Sequence, residues 1–394
     1  MTSRNYDQLL RETIRRILIE ATRETRKKFH IPIPPDLLKI SDTFAKAGKS
    51  FYLVGGAVRD ALMGKTPKDL DVTTDALPDD IVSILKGDAS TNYQILEIGK
   101  AFGVVKVITP DGNEYEIATF REDIGKGRRP DAVSFTSIEK DVSRRDLTMN
   151  ALFYDIDAGE IVDFVGGIED IERGVVRTVG EPSERFDEDR LRILRALRFA
   201  ARVGSDLDPA TAAAIKQNNA LEGVSRERVR DEFLKGIKSA KSVSHFYDLI
   251  SEFDLWPQIF PGLEVSTDLT SKNVMVSLGL LLRENQPAVL SSTLNRLKYS
   301  SEEIGKISYL VSFQDLEVDS AYILKKRYKS SRLTEEDLIE FSRILGMPSR
   351  RLVNSFISYE PSITATDLQA QGFSGRDIGA ELARRETALF RERV

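Results

Sequence analysis

The 394-residue sequence has no cysteine and only two histidines, His30 and His245. The first absence excludes disulfides, any disulfide-linked partner, thiolate metal sites and a cysteine nucleophile. The second removes histidine-rich metal centres and most histidine-dependent triads. No apolar run approaches the roughly 20 residues that a membrane-spanning helix needs, so no membrane segment is expected. There is no Gly-x-x-x-x-Gly-Lys-Ser/Thr, which excludes a P-loop kinase. Repeats and low-complexity tracts are also missing. Net charge is −5, so the chain as a whole is not a polycation. A local basic lining can still meet nucleic acid on an acidic body. The N-terminal apolar residues are interleaved with charge, against a signal peptide, and Asp7, Glu12, Glu20 and Glu24 argue against a transit peptide. The reading is cytoplasmic. An apolar fraction of 41% is ordinary for a soluble protein, and the length implies two or more domains.

What is present is organised around residues 51–75. Phe51-Tyr-Leu-Val54 reads as a strand ending at Gly55-Gly56, after which Ala57 to Met63 read as a helix opening. A glycine turn feeding a helix N-terminus points free backbone N–H groups at an anion and suits a triphosphate. Asp69 and Asp71 follow, two apart on an expected strand, so both carboxylates project from one face. Two oxygen ligands on one face are what Mg²⁺ asks of a protein when substrate phosphates complete the shell. Further on, Gly103 to Ile108 and Glu114 to Arg121 are strand-like, with a hairpin signal at Asp111-Gly112-Asn113. Glu116 sits between Tyr115 and Ile117, an acid between apolar residues; Glu114 shares its face, as on a solvated strand. Residues 122–134 are glycine-rich, charged and unperiodic, which describes a mobile loop.

Arg144-Arg145-Asp146 precedes Leu-Thr-Met-Asn-Ala, and a hairpin around Ala158-Gly159, a short helix and a strand over Val175 to Val179 complete this region. From Pro182 strand signals give way to helical periodicity. In Glu188-Asp-Arg-Leu-Arg192-Ile-Leu-Arg195-Ala-Leu-Arg198, Ile193, Leu194, Leu197 and Ala201 share a core side. Glu188, Arg192 and Arg195 lie opposite, with Asp189 close by. Adenine and cytosine each offer an amino donor beside a ring-nitrogen acceptor, whereas guanine and uracil offer the reverse. A fixed carboxylate and guanidinium would take ATP and CTP and reject GTP and UTP; a solvated ion pair is the plainer reading.

Gly-Gly-x-Val-Arg-Asp before Asp-x-Asp, then Arg-Arg-Asp, then Glu-Asp-x-x-Arg, in this order, resembles the class II CCA-adding tRNA nucleotidyltransferase and bacterial poly(A) polymerase family. The resemblance covers about residues 45–385. It implies an α+β chain in which an N-terminal, polymerase β-like nucleotidyltransferase head with a mixed sheet precedes an all-helical neck, body and tail. The expected divisions are an N-terminal helical extension at 1–35, with one helix over 5–28, the catalytic head at 36–180, a neck with the nucleotide-selecting helix at 181–262, a body at 263–320 and a tRNA-binding tail at 321–394. It implies Mg²⁺ on Asp69 and Asp71, with Glu116 as a further catalytic carboxylate. Phosphates fall to Gly55, Gly56 and Arg59, and ribose and phosphates to Arg144, Arg145 and Asp146. Glu188, Asp189 and Arg192 form the base template, and Arg195 and Arg198 match arginines near the nucleotide. The expected partners are ATP, CTP and the 3′ end and acceptor arm of tRNA; the expected reaction is CCA addition with release of pyrophosphate. A-only addition, poly(A) synthesis and an idle RNA-binding scaffold are the rivals. A full-length loop at 122–134 argues against the CC-adding subgroup. Tyr322 to Arg332 is basic, suiting either a phosphate backbone or solvent.

Overall fold

The alternation of side chains in Phe51–Val54 is one part of a mixed sheet, seen in a computed structural model that describes residues 24–67, 69–87, 92–97, 99–124, 132–347 and 349–394. Among these, the strands are β1 (Thr25–Lys28), β2 (Phe51–Val54), β3 (Val72–Thr74), β4 (Gln94–Leu96), β5 (Val104–Ile108), β6 (Glu114–Thr119), β7 (Arg121–Ile124), β8 (Ala132–Phe135), β9 (Phe153–Asp155) and β10 (Glu160–Asp163). Eight of them form one sheet in the order β1-β10-β9-β2-β3-β6-β5-β4, while β7 and β8 pair separately. The central pair β3 and β6 is parallel, with Val72 beside Ile117. Its neighbours are antiparallel, with Leu53 beside Val72 and also beside Tyr154.

Period-two alternation gives this sheet two apolar faces. Phe51, Leu53, Val72, Val105, Val107, Ile117 and Tyr154 pack with Leu37, Ile40 and Phe44 of helix Pro35–Lys46 and with Ile81, Val82 and Leu85 of helix Pro78–Gly87. The opposite face holds Val54, Phe120, Val142, Phe153, Val162 and Val179. Asp71 and Glu116 each stand one residue from a first-face position, Val72 and Ile117, and so belong to the second face. That parity selects where the polar chemistry can sit.

Several local expectations are corrected. Thr25–Lys28 is an edge strand on β10 rather than the end of a helix over 5–28, whose first 19 positions lie outside the described residues. Its four residues are all exposed, and Arg26 and Lys28 pair with Glu160, as charged edges do to discourage further strand addition. Asp69 and Asp71 lie just before β3, although the Asp71 carbonyl accepts from Val54 N at 3.0 Å and so extends the ladder by one residue. Val175 to Val179 is not a strand; it makes only the isolated bridges Leu147 to Thr178 and Val176 to Leu207. The expected loop over 122–134 includes two paired arms, β7 and β8, and residues 125–131 lie outside the described part.

The chain divides into two units: the described part of residues 1–196 with 205–218, and residues 197–204 with 219–394. The division falls inside the helix Leu191–Val203, beyond the compositional change near 180. The second unit is helical among its described residues, with one core built on Val276, Leu280, Leu310, Phe313, Phe341 and Phe356. A second aromatic group places the Phe233 ring 5.2 Å from Phe260 and 5.9 Å from Trp256. Among the described residues no helix is long and apolar enough to cross a membrane.

Two glycines test this packing in opposite directions. A Cβ at Gly167 would lie 2.3 Å from the Thr148 carbonyl oxygen, whereas one at Gly305, in helix Ser301–Phe313, meets nothing within 4 Å. Gly167→Ala is expected to lose about 1–3 kcal/mol in urea unfolding. Gly305→Ala should gain about 0.5–1 kcal/mol, because alanine is the better helix former. Equal signs for the two would contradict the packing described.

Candidate active site

β2 ends because Gly55 turns at φ +69, a left-handed value that a side chain opposes. A Cβ there would stand 3.6 Å from both Arg145 Nη1 and the Asn150 carbonyl oxygen, so the turn lies within ordinary contact range of residues 145–150. Gly56 opens the helix Gly56–Leu62, and Arg59 lies one turn on. Arg59 is buried, donating from Nε and Nη2 to Asp60 Oδ1 at 3.0 and 2.8 Å and from Nη1 to Asn150 Oδ1. In this arrangement it binds the turn to the protein interior.

Asp69, Asp71 and Glu116 are all exposed, and Asp71 and Glu116 stand on the second sheet face. The carboxyl of Asp71 is crowded by protein although its residue remains open to solvent. Its pKa is raised, by desolvation first and then by the charges of Glu116 and Asp69, while Arg145 opposes the rise. Asp71 thus feels two like charges and one opposing guanidinium, a balance that a bound cation would relieve. Among the described residues no closed group of three metal-ligating side chains is assembled. Oxygen-only donors of this kind suit a hard divalent ion whose remaining ligands come from substrate phosphates and water.

Arg144-Arg145-Asp146 follows the helix Ile138–Ser143. Asp141, wholly buried, sits three and four residues before the two arginines and takes both. Its Oδ1 accepts from Arg144 Nε at 2.9 Å and its Oδ2 from Arg145 Nη2 at 2.8 Å. Burial pushes the Asp141 pKa up, but Arg145 and Arg144 outweigh it and hold the carboxyl below its ordinary range. The guanidinium of Arg145 also lies 4.9 Å over the Phe153 ring. Asp146 is likewise held ionised: desolvation opposes, and Arg195 and then Asn150 and the Leu147 N–H prevail.

The segment is gripped from outside by the helix Leu191–Val203. Arg192 Nη2 donates to the Arg144 carbonyl at 3.1 Å, and one turn later Arg195 Nε donates to Asp146 Oδ2 at 2.7 Å. Arg192 Nη1 also meets Glu188 Oε2 at 2.5 Å and the Arg185 carbonyl at 3.1 Å. Glu188 is not on the same helix, as the wheel assumed: it ends Pro182–Glu188, and the chain breaks at Asp189 before restarting. Asp189 Oδ1 accepts from Leu191 N at 3.2 Å, so this acid caps the new helix.

Arg59, Arg144, Arg145, Asp146, Glu188, Arg192 and Arg195 thus meet in one hydrogen-bonded network, and Asp71 is coupled to it through the charge of Arg145. Arg198 does not: it belongs to the second unit, where it is buried against Glu232 and lies 4.1 Å over the Phe199 ring. Two members of the network were not anticipated, Asp141 and Asn150. The spacing of Asp141 before two arginines on a helix is a signal that could have found the first. No local pattern announces Asn150, whose partners come from distant positions.

Known proteins resemble this chain over most of its length. A family model described as the Poly A polymerase head domain matches residues 51–177, and one described as a probable RNA and SrmB-binding site of polymerase A matches residues 204–266. The chain is 32% identical over 365 residues to a CCA-adding enzyme of Lactobacillus helveticus, covering 88% of this chain and 89% of that one. It is 34% identical over 332 residues to the CCA-adding enzyme of Lactobacillus johnsonii, covering 79% and 80%. Among solved structures, the Bacillus stearothermophilus CCA-adding enzyme in complex with CTP is similar with a TM-score of 0.71 at 27% identity, over 91% of this chain and 94% of that one. The Thermotoga maritima CCA-adding enzyme complexed with tRNA shares the fold, with a TM-score of 0.63 at 19% identity over 95% and 94%.

The depressed pKa of Asp141 carries a sign. Its charge stabilises the fold above the ordinary value of 3.8, and that contribution is lost as pH falls through the lower folded value. Asp141→Asn is expected to cost about 3–5 kcal/mol near neutral pH, as when one partner of a buried pair is removed. Urea unfolding of both proteins should show the gap narrowing below pH 3.8 and not widening.

Proposed function

The chain belongs to the family of CCA-adding enzymes, and on that premise we infer that it extends the 3′ end of tRNA by C, C and A, using CTP and ATP and releasing pyrophosphate. The observation that carries the reading is the continuity of the polar network. Asp71 feels the charge of Arg145, Arg145 shares Asp141 with Arg144, and Arg192 and Arg195 hold the same segment from the helix beyond. Metal carboxylates, nucleotide-contacting arginines and base-selecting residues are thereby tied together.

Asp69 and Asp71 would hold a divalent cation, which we take to be Mg²⁺, with Glu116 as the third acid; the fit lies in their oxygen-only donors and mutual repulsion. Such an ion, when bound, neutralises triphosphate charge and eases ionisation of the attacking hydroxyl. The Gly55-Gly56 turn lets the phosphates approach the backbone, and Arg59 braces that turn. Asp146, kept ionised by Arg195, accepts from a ribose hydroxyl, and Arg145 and Arg144 face the phosphates. The 3′ oxygen of the RNA attacks the α-phosphorus, the bond to the bridging oxygen breaks, and pyrophosphate departs with its electron pair.

Arg192 is held in one orientation by three acceptors, the Arg144 and Arg185 carbonyls and Glu188. With Glu188 and Asp189 it would offer a guanidinium and a carboxylate to the base edge. A base with its donor and acceptor reversed leaves buried groups unpaired, at about 1–3 kcal/mol each. Arg198, through Glu232, would steady the later turns of the same helix.

A tRNA ending at the discriminator base, supplied with CTP alone, should gain two cytidines, and one adenosine should follow when ATP is added. No incorporation from CTP would mean an A-only enzyme. Asp71→Ala should abolish both additions. Mg²⁺ should raise the melting temperature of the wild type and leave that of Asp71→Ala unmoved, since only a bound ion stabilises the folded state. Equal shifts in the two proteins would remove the ion from this site.

A further inference from the structure

Asn150 ends the single turn Thr148–Asn150 and is 8% exposed. Its Oδ1 accepts from Arg59 Nη1, and its Nδ2 donates to Asp146 Oδ1 at 3.3 Å. Its backbone carbonyl accepts from Arg145 Nη1 at 3.5 Å. Asp146 then continues through Oδ2 to Arg195 Nε at 2.7 Å. A hydrogen-bonded relay therefore runs Arg59, Asn150, Asp146, Arg195, from the helix after the glycine turn to the helix that follows the sheet unit's last turn.

The two ends of the Asn150 side chain have opposite work to do. One must accept from a cation and the other must donate to an anion, and only a carboxamide does both at this size. The guanidinium on one side and the carboxylate on the other fix which way the amide points. A carboxylate could serve Arg59 but would confront Asp146; alanine would serve neither.

We propose that Asn150 is a positioning residue for nucleotide transfer, setting the Asp146 carboxylate in register with the glycine turn through Arg59. The inference rests on the proposed contact between Asp146 and the nucleotide ribose. It adds that the contact is aimed from the phosphate side of the site as well as from Arg195. The charged groups facing the Asn150 position are Asp146, Arg59 with its partner Asp60, Arg145 with its partner Asp141, and Arg195.

The test uses full-length Asn150→Asp and Asn150→Ala with a tRNA lacking CCA, measuring KM for CTP and kcat from about pH 5.5 to about pH 8.5. Asn150→Asp keeps an acceptor for Arg59 but sets a second carboxylate against Asp146, which Arg195 already holds ionised. Its KM should rise by about tenfold or more at every pH in this range, with kcat falling less. Asn150→Ala, which removes both bonds, should raise KM by about tenfold. Both variants lying within about twofold of wild type would overturn the relay, as would a loss confined to kcat. Should Asn150→Asp fail to fold, an unchanged KM in Asn150→Ala would overturn it equally. A wild type that takes no CTP would instead overturn the functional reading on which the relay depends.

Discussion

Asp141 is a carboxylate with no exposure to water, and the arrangement of the site depends on its being charged. Taking such a group out of solvent costs several kcal/mol even after relaxation. Two guanidiniums offset that cost, together with the Arg121 backbone N–H, which donates to Asp141 Oδ1 at 3.2 Å. The fold thereby fixes two arginines that would otherwise sweep out many rotamers. Each is already ordered before any nucleotide arrives, so binding need not supply that entropy.

The same ordering carries positive charge toward Asp71. Arg145 is the link, reaching Asp141 by hydrogen bonds and Asp71 through its charge. Against this, Asp71 is held above its ordinary pKa, a condition that folding tolerates and a cation relieves. Repulsion among acids and attraction to arginine are thus set against each other across a short stretch of one sheet face. An anionic triphosphate with its counter-ion is complementary to both. A net charge of −5 on the whole molecule is no obstacle, because the relevant field is local.

The parts that were legible in the sequence are those governed by short periods. Phe51–Val54 and Gly55 read correctly because alternation and a positive φ leave local traces. The period-two argument applies to Asp69 and Asp71, but the strand begins only at Val72; it is the pairing of Val72 with Ile117, invisible in the sequence, that brings Asp71 and Glu116 to one face. The helix over 188–199 was read as continuous because Glu188 and Arg192 fit an i,i+4 pair; the pair exists, but Asp189 breaks the backbone between them. Thr25–Lys28 is a strand because β10 supplies a partner, which no local propensity for charged residues would suggest. Arg198 shares the periodicity of Arg192 and Arg195, but a buried partner, Glu232, claims it. Asn150 was invisible, since each of its bonds depends on tertiary placement.

On the proposed reading, in which Arg192 and Glu188 meet the base, the grip of Arg192 on the Arg144 carbonyl limits what the site can decide by itself. A guanidinium and a carboxylate held rigidly read one pattern, an amino donor beside a ring-nitrogen acceptor, and adenine and cytosine share it. Unpaired groups then exclude guanine and uracil strongly, but nothing in a fixed pair ranks the two accepted bases. An ordered C, C, A therefore requires a second input that changes between additions. The protein's own network is continuous and braced at both ends, so it is poorly suited to be that variable. The growing RNA end is what differs from one addition to the next, and the order must be imposed where that end meets the rigid pair.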